Sequence, residues 1–392
     1  MKRPVIWLLA VAAFLVFLAL PFFRLDPGRI DERVLPDDLD ARVTAETIQD
    51  RMNWSNFNPI QVAAPGLDAD DEEGIRDLTS RIQELDGVVR VGNPFGFFRD
   101  DGLVPPTWLN EHFVPTDGNA AGTWIDVVYW WDFDDPRIED LIASIRDLDT
   151  PYSQLLVGGN NATVIDTVDS VTARIPAALA VIAIVTLVLL FFMTGSVLIP
   201  IKAVVLNLLS LTAMLGALVW IFQDGNFAET LGVTVSGKID IFTPILMFCI
   251  AFGLSMDYEV FLLTRIKEEY DLTGDNDQAI RVGIGQTGPV VTAAAVLLAI
   301  VFVAIATSGV VIVKMFGIGL ALAVITDAFL VRATITPALM KLAGRLNWWA
   351  PGPLRRFHLR WGIWETDPVV VPAGQATADA DTHKLASASL GD

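Results

Sequence analysis

Apolar positions along the chain follow two different rhythms. Unbroken hydrophobic runs long enough to cross a bilayer, roughly 20 residues each, occupy Val5 to Phe23, Ile175 to Met193, Val197 to Phe222, Ile239 to Thr264, Val290 to Thr307 and about Phe316 to Met340. Between the first and second runs, apolar residues recur instead with the spacings of a folded, water-exposed domain. Leu39 to Met52 and Asp70 to Leu85 read as amphipathic helices. The second carries Ile75, Leu78, Ile82 and Leu85 on one face and has Asp68 or Asp70 placed to cap it. Ile60 to Ala64, Val88 to Val91, Trp124 to Trp131 and Leu155 to Val157 are rich in Val, Ile, Trp and Tyr and read as strands. Pro136 to Leu148 follows the Asp134-Asp135 cap signal and turns Ile138, Leu141, Ile142 and Ile145 inward as a helix. The order strand, helix, strand, strand, helix, strand is that of a ferredoxin-like α/β layer.

The stretch Asn93 to Gly122 separates the two halves of that domain and is rich in Gly, Pro and aromatic residues. It reads either as a disordered insertion or as a flap lining an apolar passage. After Val157-Gly-Gly159 a helix from Asn161 is expected to run through Asp166 and Asp169 into the second span. That gives a rigid link from domain to membrane.

Composition makes the class firm: 53% of the 392 residues are hydrophobic and the mean hydropathy is +0.50, well above a soluble domain of this length. The formal charge of -19 comes from acids crowded between Asp26 and Asp169 and after Trp364. A solvated acidic domain explains it, and nucleic acid is not an expected partner. The single cysteine, Cys249, lies in an apolar run and the three histidines lie outside the runs. Disulfides within the chain are therefore excluded, and any intramembrane proton relay must use carboxylates, hydroxyls or tyrosine.

Basic residues orient the spans. Lys2, Arg3, Lys202, Arg265, Lys267, Arg281, Lys341, Arg345, Arg355, Arg356 and Arg360 fall on one side, which is then the cytoplasm. Lys238 and Lys314 oppose the rule but sit at helix ends, where lysines snorkel. The first run has an apolar core nearly a bilayer long, and no small-x-small pattern follows Leu20, so an uncleaved anchor is expected. The resulting plan is a first transmembrane helix over 1–23, an extracytoplasmic domain over 24–173, and transmembrane helices two to six over 174–340. A cytoplasmic juxtamembrane segment at 341–364 and a disordered cytoplasmic tail at 365–392 follow.

The spans carry more polarity than hydrocarbon tolerates without cause. Asp257 lies about 12 Å from the basic end of its helix by helical rise, with Gly253 and Phe261 on its face and Tyr258 on the next. It is expected to be hidden between packed helices as a proton-carrying carboxylate. Glu259 lies nearer the helix end and is expected to snorkel toward Arg265 or Lys267. Asp327 is mid-span in the sixth helix and reads equally as a functional group or a structural hydrogen-bonding one. Arg332, five residues later, is off the ideal three-or-four spacing and reads as an interfacial anchor. Gly253, Ser255, Gly317, Gly319, Ala321 and Ala323 permit close helix contact.

The run Gly253-Leu-Ser-Met-Asp-Tyr-Glu-Val-Phe-Leu-Leu-Thr-Arg-Ile-Lys-Glu-Glu-Tyr270 resembles the fourth-helix signature of the MMPL family of lipid exporters, within the resistance-nodulation-division (RND) superfamily. Gly195 to Ala203, Asn207 to Leu211, Val157-Gly-Gly159, Lys314 to Ala328 with Leu330-Val-Arg332, and Asn347-Trp-Trp349 followed by Pro351 fit the same family in the right order. The resemblance implies a six-helix RND-type bundle with an extracytoplasmic ferredoxin-like porter domain between helices one and two. It also implies a proton relay of Asp257 and Tyr258 assisted by Asp327, with Thr292 as a hydroxyl partner. The implied function is that of a half-unit of a proton-motive-force-driven exporter of lipids or other hydrophobic molecules at the cell membrane.

Family members carry two such halves in one polypeptide, and this chain has the features of one, closest to the second. One half alone leaves its polar face toward lipid. The expected partners are thus a second RND half, as a separate chain or another copy, together with a hydrophobic or lipid substrate and membrane lipids. A non-transporting scaffold or lipid sensor is the competing expectation. With no P-loop, nucleophile elbow or histidine metal site in the sequence, neither an enzyme nor a cofactor or metal is expected.

Overall fold

The computed structural model describes residues 3–28, 31–51, 58–99, 102–114, 122–132, 135–152 and 154–362. The expected tail over 365–392 and the Asp134 half of the cap signal lie outside the described residues. Among those described, six helices are long and apolar enough to cross a membrane: Pro4–Arg24, Asn160–Thr194, Leu198–Gln223, Phe242–Thr273, Asn276–Ala306 and Val311–Trp348. Each coincides with an expected run to within a few residues at its apolar edge, but most extend further into polar sequence. Helices end at capping chemistry rather than where hydrophobicity ends.

The chain enters through α1 (Pro4–Ala19) and reaches a short extended segment, β1 (Pro27–Gly28). It then forms α2 (Asp40–Arg51) and the α/β layer: β2 (Ile60–Ala64), α3 (Glu72–Gln83), β3 (Val88–Asn93), β4 (Gly96–Arg99), β5 (Gly102–Val104), β6 (Thr123–Tyr129), α4 (Arg137–Arg146) and β7 (Leu156–Gly158). The strands lie in the order β5-β4-β3-β6-β2-β7 and every pairing is antiparallel. Strand alternation sends Ile60, Val62 and Ala64 of β2 and Ile125, Val127 and Tyr129 of β6 to one face. There they pack on Ile75, Leu78 and Ile82 of α3 and Ile138, Leu141, Ile142 and Ile145 of α4. Asp71 caps α3 by accepting from the Gly74 amide at 3.0 Å, one residue beyond the expected position.

The described part of the stretch after Asn93 is ordered and not a disordered insertion. It adds β4 and β5 to the sheet edge, with Phe97 opposite Val104 and Arg99 opposite Gly102, and Phe113 is fully buried. The aromatic pair Phe97-Phe98, bounded by Gly96 and by Asp100-Asp101-Gly102, carried the hairpin signal. Richness in Gly and Pro masked it.

The link to the membrane is a single helix, α5 (Asn160–Thr194), of 35 residues and so about 52 Å long. Gly159, at φ 92°, makes the turn into it, and a Cβ there would lie 2.7 Å from the Pro59 carbonyl oxygen. The Asn161 side chain then donates to the Tyr129 hydroxyl at 2.8 Å in the buried layer. Burial pushes that phenol up to about 12, so it stays a neutral partner.

The membrane bundle continues with α6 (Leu198–Leu218), α7 (Ala228–Leu231), β8 (Ile239–Asp240), α8 (Phe242–Thr273), α9 (Asn276–Ile305), α10 (Val311–Ile325), a π-helical run Thr326–Ile335, α11 (Thr336–Ala343) and α12 (Gly352–Trp361). Ile239 and Asp240 leave the expected fourth span because they pair in parallel with β1. The Asp240 carboxylate caps α8, accepting from the amides of Phe242 at 3.1 Å and Thr243 at 3.0 Å. Lys314 does not snorkel: it is buried and donates to the Leu231 carbonyl at the end of α7. Gly317 lets α10 lie against α9, where a Cβ would be 2.4 Å from the Ala306 amide nitrogen.

On the face of the sheet away from α3 and α4, under Phe113, Asp126 sits 3.9 Å from the His112 imidazole, within electrostatic range of Arg90. Burial raises its carboxyl to about 6 against these opposing charges. A folded-state value above the unfolded one means the folded protein holds the extra proton between about pH 4 and 6. Stability therefore falls as pH rises through that window and stays lower above it. Asp126→Asn is expected to stabilise the domain above pH 6, by at most about 3 kcal/mol, with the gain vanishing below about pH 4. Thermal unfolding of the detergent-solubilised chain across that range checks it.

Candidate functional site

Asp257, Tyr258 and Glu259 follow one another on α8, so the helix turns them to three directions about 100° apart. Glu259 faces inward and is 6% exposed. Tyr258 is half-buried against Leu254, Val291, Leu298, Val324 and Ala328. Asp257 is exposed on the outside of the bundle, so the expectation that its carboxyl is hidden between this chain's packed helices is not met. The helical step that buries Glu259 is what turns Asp257 out.

The buried polar centre forms around Arg332, whose side chain is 4% exposed. Its Nε donates to Asp327 at 2.7 Å, and one Nη donates to the Ser255 carbonyl and, at 3.0 Å, to the Ser255 hydroxyl. The other Nη lies 3.7 Å from the Glu259 carboxylate, and the guanidinium carbon stands 5.5 Å from the centre of the Tyr258 ring. Lys202, on the first turn of α6, is within electrostatic range of Glu259. Its ammonium nitrogen, Arg332 Nη1 and Glu259 Oε1 are all buried with no hydrogen bond among the described residues. Two cations and two carboxylates from three helices thus share one apolar interior, balanced in charge. Salt-linked groups in a dry site hold each other in place, and removing one leaves its partner uncompensated.

Three expectations are corrected here, for Glu259, Arg332 and Lys202. Glu259 does not snorkel toward Arg265 or Lys267; Arg265 pairs with Glu268 at 2.6 Å instead, and Lys267 pairs with Asp271. Arg332 is no interfacial anchor. Its five-residue spacing from Asp327 is wrong for an α-helix and right for the π-helical run Thr326–Ile335 that holds both residues. Lys202, expected among the cytoplasmic bases, points into the bundle. Thr292 lies exposed on α9, with no hydrogen bond to Asp257 or Tyr258 among the described residues. The neighbouring Thr287 hydroxyl is spent on the Gly283 carbonyl at 2.8 Å.

A carboxylate facing outward from the middle of a membrane helix is paired with open space around it. A Cβ at Gly253, one turn away on the same face, would meet nothing within 4 Å among the described residues, and the same holds for Gly285 and Gly288 on α9. By contrast, a Cβ at Gly319, facing inward on α10, would lie 2.1 Å from Met247.

A family model described as "MMPL family" matches residues 34–373. The chain belongs to the MMPL family. It is 37% identical over 376 residues to a putative membrane protein of Streptomyces coelicolor, covering 95% of this chain and 48% of that protein. It is 30% identical over 374 residues to the trehalose monomycolate exporter MmpL3 of Mycobacterium tuberculosis, covering 93% and 38%. It is 32% identical over 357 residues to the membrane protein YdfJ of Bacillus subtilis, covering 89% and 46%. The chain therefore spans less than half the length of these relatives. This MMPL chain is a multi-pass membrane protein, and the Arg332 cluster and Asp257 lie within its long apolar helices.

Arg332→Met in this MMPL chain is expected to lower stability by about 3–5 kcal/mol, because two carboxylates would remain buried with one cation. Asp257→Asn should not lower stability, since its carboxyl has no hydrogen bond or ion pair among the described residues and the change removes a charge from the membrane face. Denaturation midpoints of both variants in detergent test the contrast.

Proposed function

We propose that this chain is a half-unit of a proton-motive-force-driven exporter of lipids or other hydrophobic molecules, with Asp257 and Tyr258 as proton carriers and Asp327 as their acidic partner in the sixth span. The observation that carries the reading is the division of charge on α8. Glu259 faces Arg332 and Lys202 inside the bundle, whereas Asp257, two residues earlier, is left on an open face beside Gly253. A mid-membrane carboxylate facing acyl chains is too costly to keep without a use or a cover. A second RND half laid against α8 and α9 supplies the cover, and the glycines there allow its helices to come close. That half is a separate chain or another copy of this one, and Thr292 lies on the surface it would meet.

In this reading the basic ends of the helices and both termini are cytoplasmic, and the α/β layer is outside. Its four strands β3-β6-β2-β7, with α3 and α4 on one face, support a ferredoxin-like porter domain. Protonation of Asp257 from the outer side removes a charge from the seam between halves, the halves repack, and α5 carries the movement into the sheet that handles the cargo. The exporter named among the relatives supports a lipid or similarly hydrophobic cargo.

A scaffold or lipid sensor is the second reading. The closed charge balance around Arg332 favours it, since such a cluster can serve packing alone. Asp257→Asn separates the two. Export of labelled lipid by cells depending on this chain should fall at least about tenfold while membrane assembly, followed by native gel, is unchanged. Full export by the assembled variant would remove the proton role and leave the scaffold.

A further inference from the structure

The end of the sixth long helix and the segment after it stay packed against the bundle. Asn347 is fully buried and donates to the Met340 carbonyl at 2.5 Å and to Asn276 at 3.2 Å. Its own carbonyl accepts from the Ser196 hydroxyl. Trp348 stacks on Tyr270 with ring centres 4.1 Å apart and donates to Asn276 at 3.0 Å, and the Trp349 carbonyl accepts from the Val197 amide at 3.2 Å. These bonds fix the start of α12 against the end of the bundle remote from the α/β layer.

The helix itself is strongly two-faced. Leu354, Phe357, His358 and Trp361 follow the three-and-four spacing of one helical face. Arg355, Arg356 and Arg360 occupy the rest with Leu359, and the helix contains no acidic residue. His358 is buried: its ring lies over Gly195, where a Cβ would be 2.7 Å from Nε2, and 5.9 Å from the Phe191 ring. Phe357 meets Phe192 at 5.6 Å. The apolar row of α12 therefore continues the outer wall of α5, whose Val185, Val188 and Leu189 are exposed toward lipid. Leu354 and Trp361, 41% and 61% exposed, extend that wall without covering from this chain's described residues.

We propose that α12 lies in the plane of the bilayer surface and binds anionic phospholipid headgroups of the adjoining leaflet through Arg355, Arg356 and Arg360. Its occupant is fixed by where the chain holds it. The apolar row is continuous with a transmembrane wall, so the surface it meets is the boundary between acyl chains and headgroups, where amphipathic basic helices settle. Arginine forks suit phosphate oxygens, and three of them on a helix that itself carries no acid select a negatively charged leaflet over a neutral one. The inference is independent of cargo and of proton coupling, and it requires only that the bundle spans a membrane.

The test uses the full chain in nanodiscs of phosphatidylcholine alone and of an equal mixture of phosphatidylcholine and phosphatidylglycerol, read by hydrogen exchange of the amides of residues 355–361. Exchange should slow about tenfold in the anionic discs, and raised salt should reverse the gain. The triple variant R355Q/R356Q/R360Q should show no lipid dependence while keeping the protection that its His358 and Phe357 contacts give in neutral discs. Equal exchange of the unmodified chain in both discs would overturn the proposal. So would inorganic phosphate, added to neutral discs, giving the same slowing, because the site would then be a free-anion site and not a membrane contact.

Discussion

One guanidinium organises the membrane half of this protein. Arg332 cannot lie in hydrocarbon without acceptors, and the chain supplies them from two helices: Asp327 on its own helix and the Ser255 carbonyl and hydroxyl on α8, with Glu259 close by. Meeting that demand fixes the rotation of α8 about its axis. Once Ser255 and Glu259 face Arg332, four residues apart on one side, the helix has no freedom left in where it sends Asp257. The outward carboxylate is thus a geometric consequence of the inward ion cluster, and the two belong to one arrangement.

The same constraint explains the local backbone of the sixth span. An α-helix would carry Asp327 and Arg332 some 140° apart around its axis, so one of the two would face away from α8. Widening the helix over Thr326–Ile335 brings both to the same side. Such a run gives up regular hydrogen bonding, and π-helical turns are found mostly where a particular side-chain placement is needed. Here the placement needed is a bonded acid and base facing a third charged residue.

Much of the fold was legible because it rests on periodicity. The strand Ile60–Ala64 was readable to the residue, α3 and α4 to within a few residues at each end, and the membrane runs from hydrophobic length alone. The continuous α5 was also readable, from the glycine pair before it and the helical spacing after. What was not legible depended on contacts far apart in sequence. Glu259 looked like a snorkelling residue since Arg265 and Lys267 are its neighbours along the chain, whereas its actual partners are Arg332 and Lys202, more than 50 residues away on either side. Arg332 was set aside because five-residue spacing is meaningless on an α-helix, and nothing in the composition of Thr326–Ile335 announces a wider one. The exposure of Asp257 was missed for the same reason: the separate directions of Asp257, Tyr258 and Glu259 were legible, but which of them faces inward is set by Arg332, a contact distant in sequence.

Those two polar faces are chemically unequal. The inner one meets opposite charge within the same chain: Ser255 is bonded to Arg332 and Glu259 lies 3.7 Å from it, so its charges are balanced inside the unit. The outer one presents a lone carboxylate with a half-buried phenol beside it and glycine one turn away. A group with few fixed partners gains most from whatever is brought against it. A pump built from two such units would keep its rigid electrostatics inside each unit and place its variable charge at the seam between them. Small movements of one unit on the other would then change the environment of the variable charge while leaving each fold intact. Joining the α/β layer to the bundle by one unbroken helix from Asn160 to Thr194 fits the same division, because rigid units can pass a displacement along a rod that soft ones would absorb.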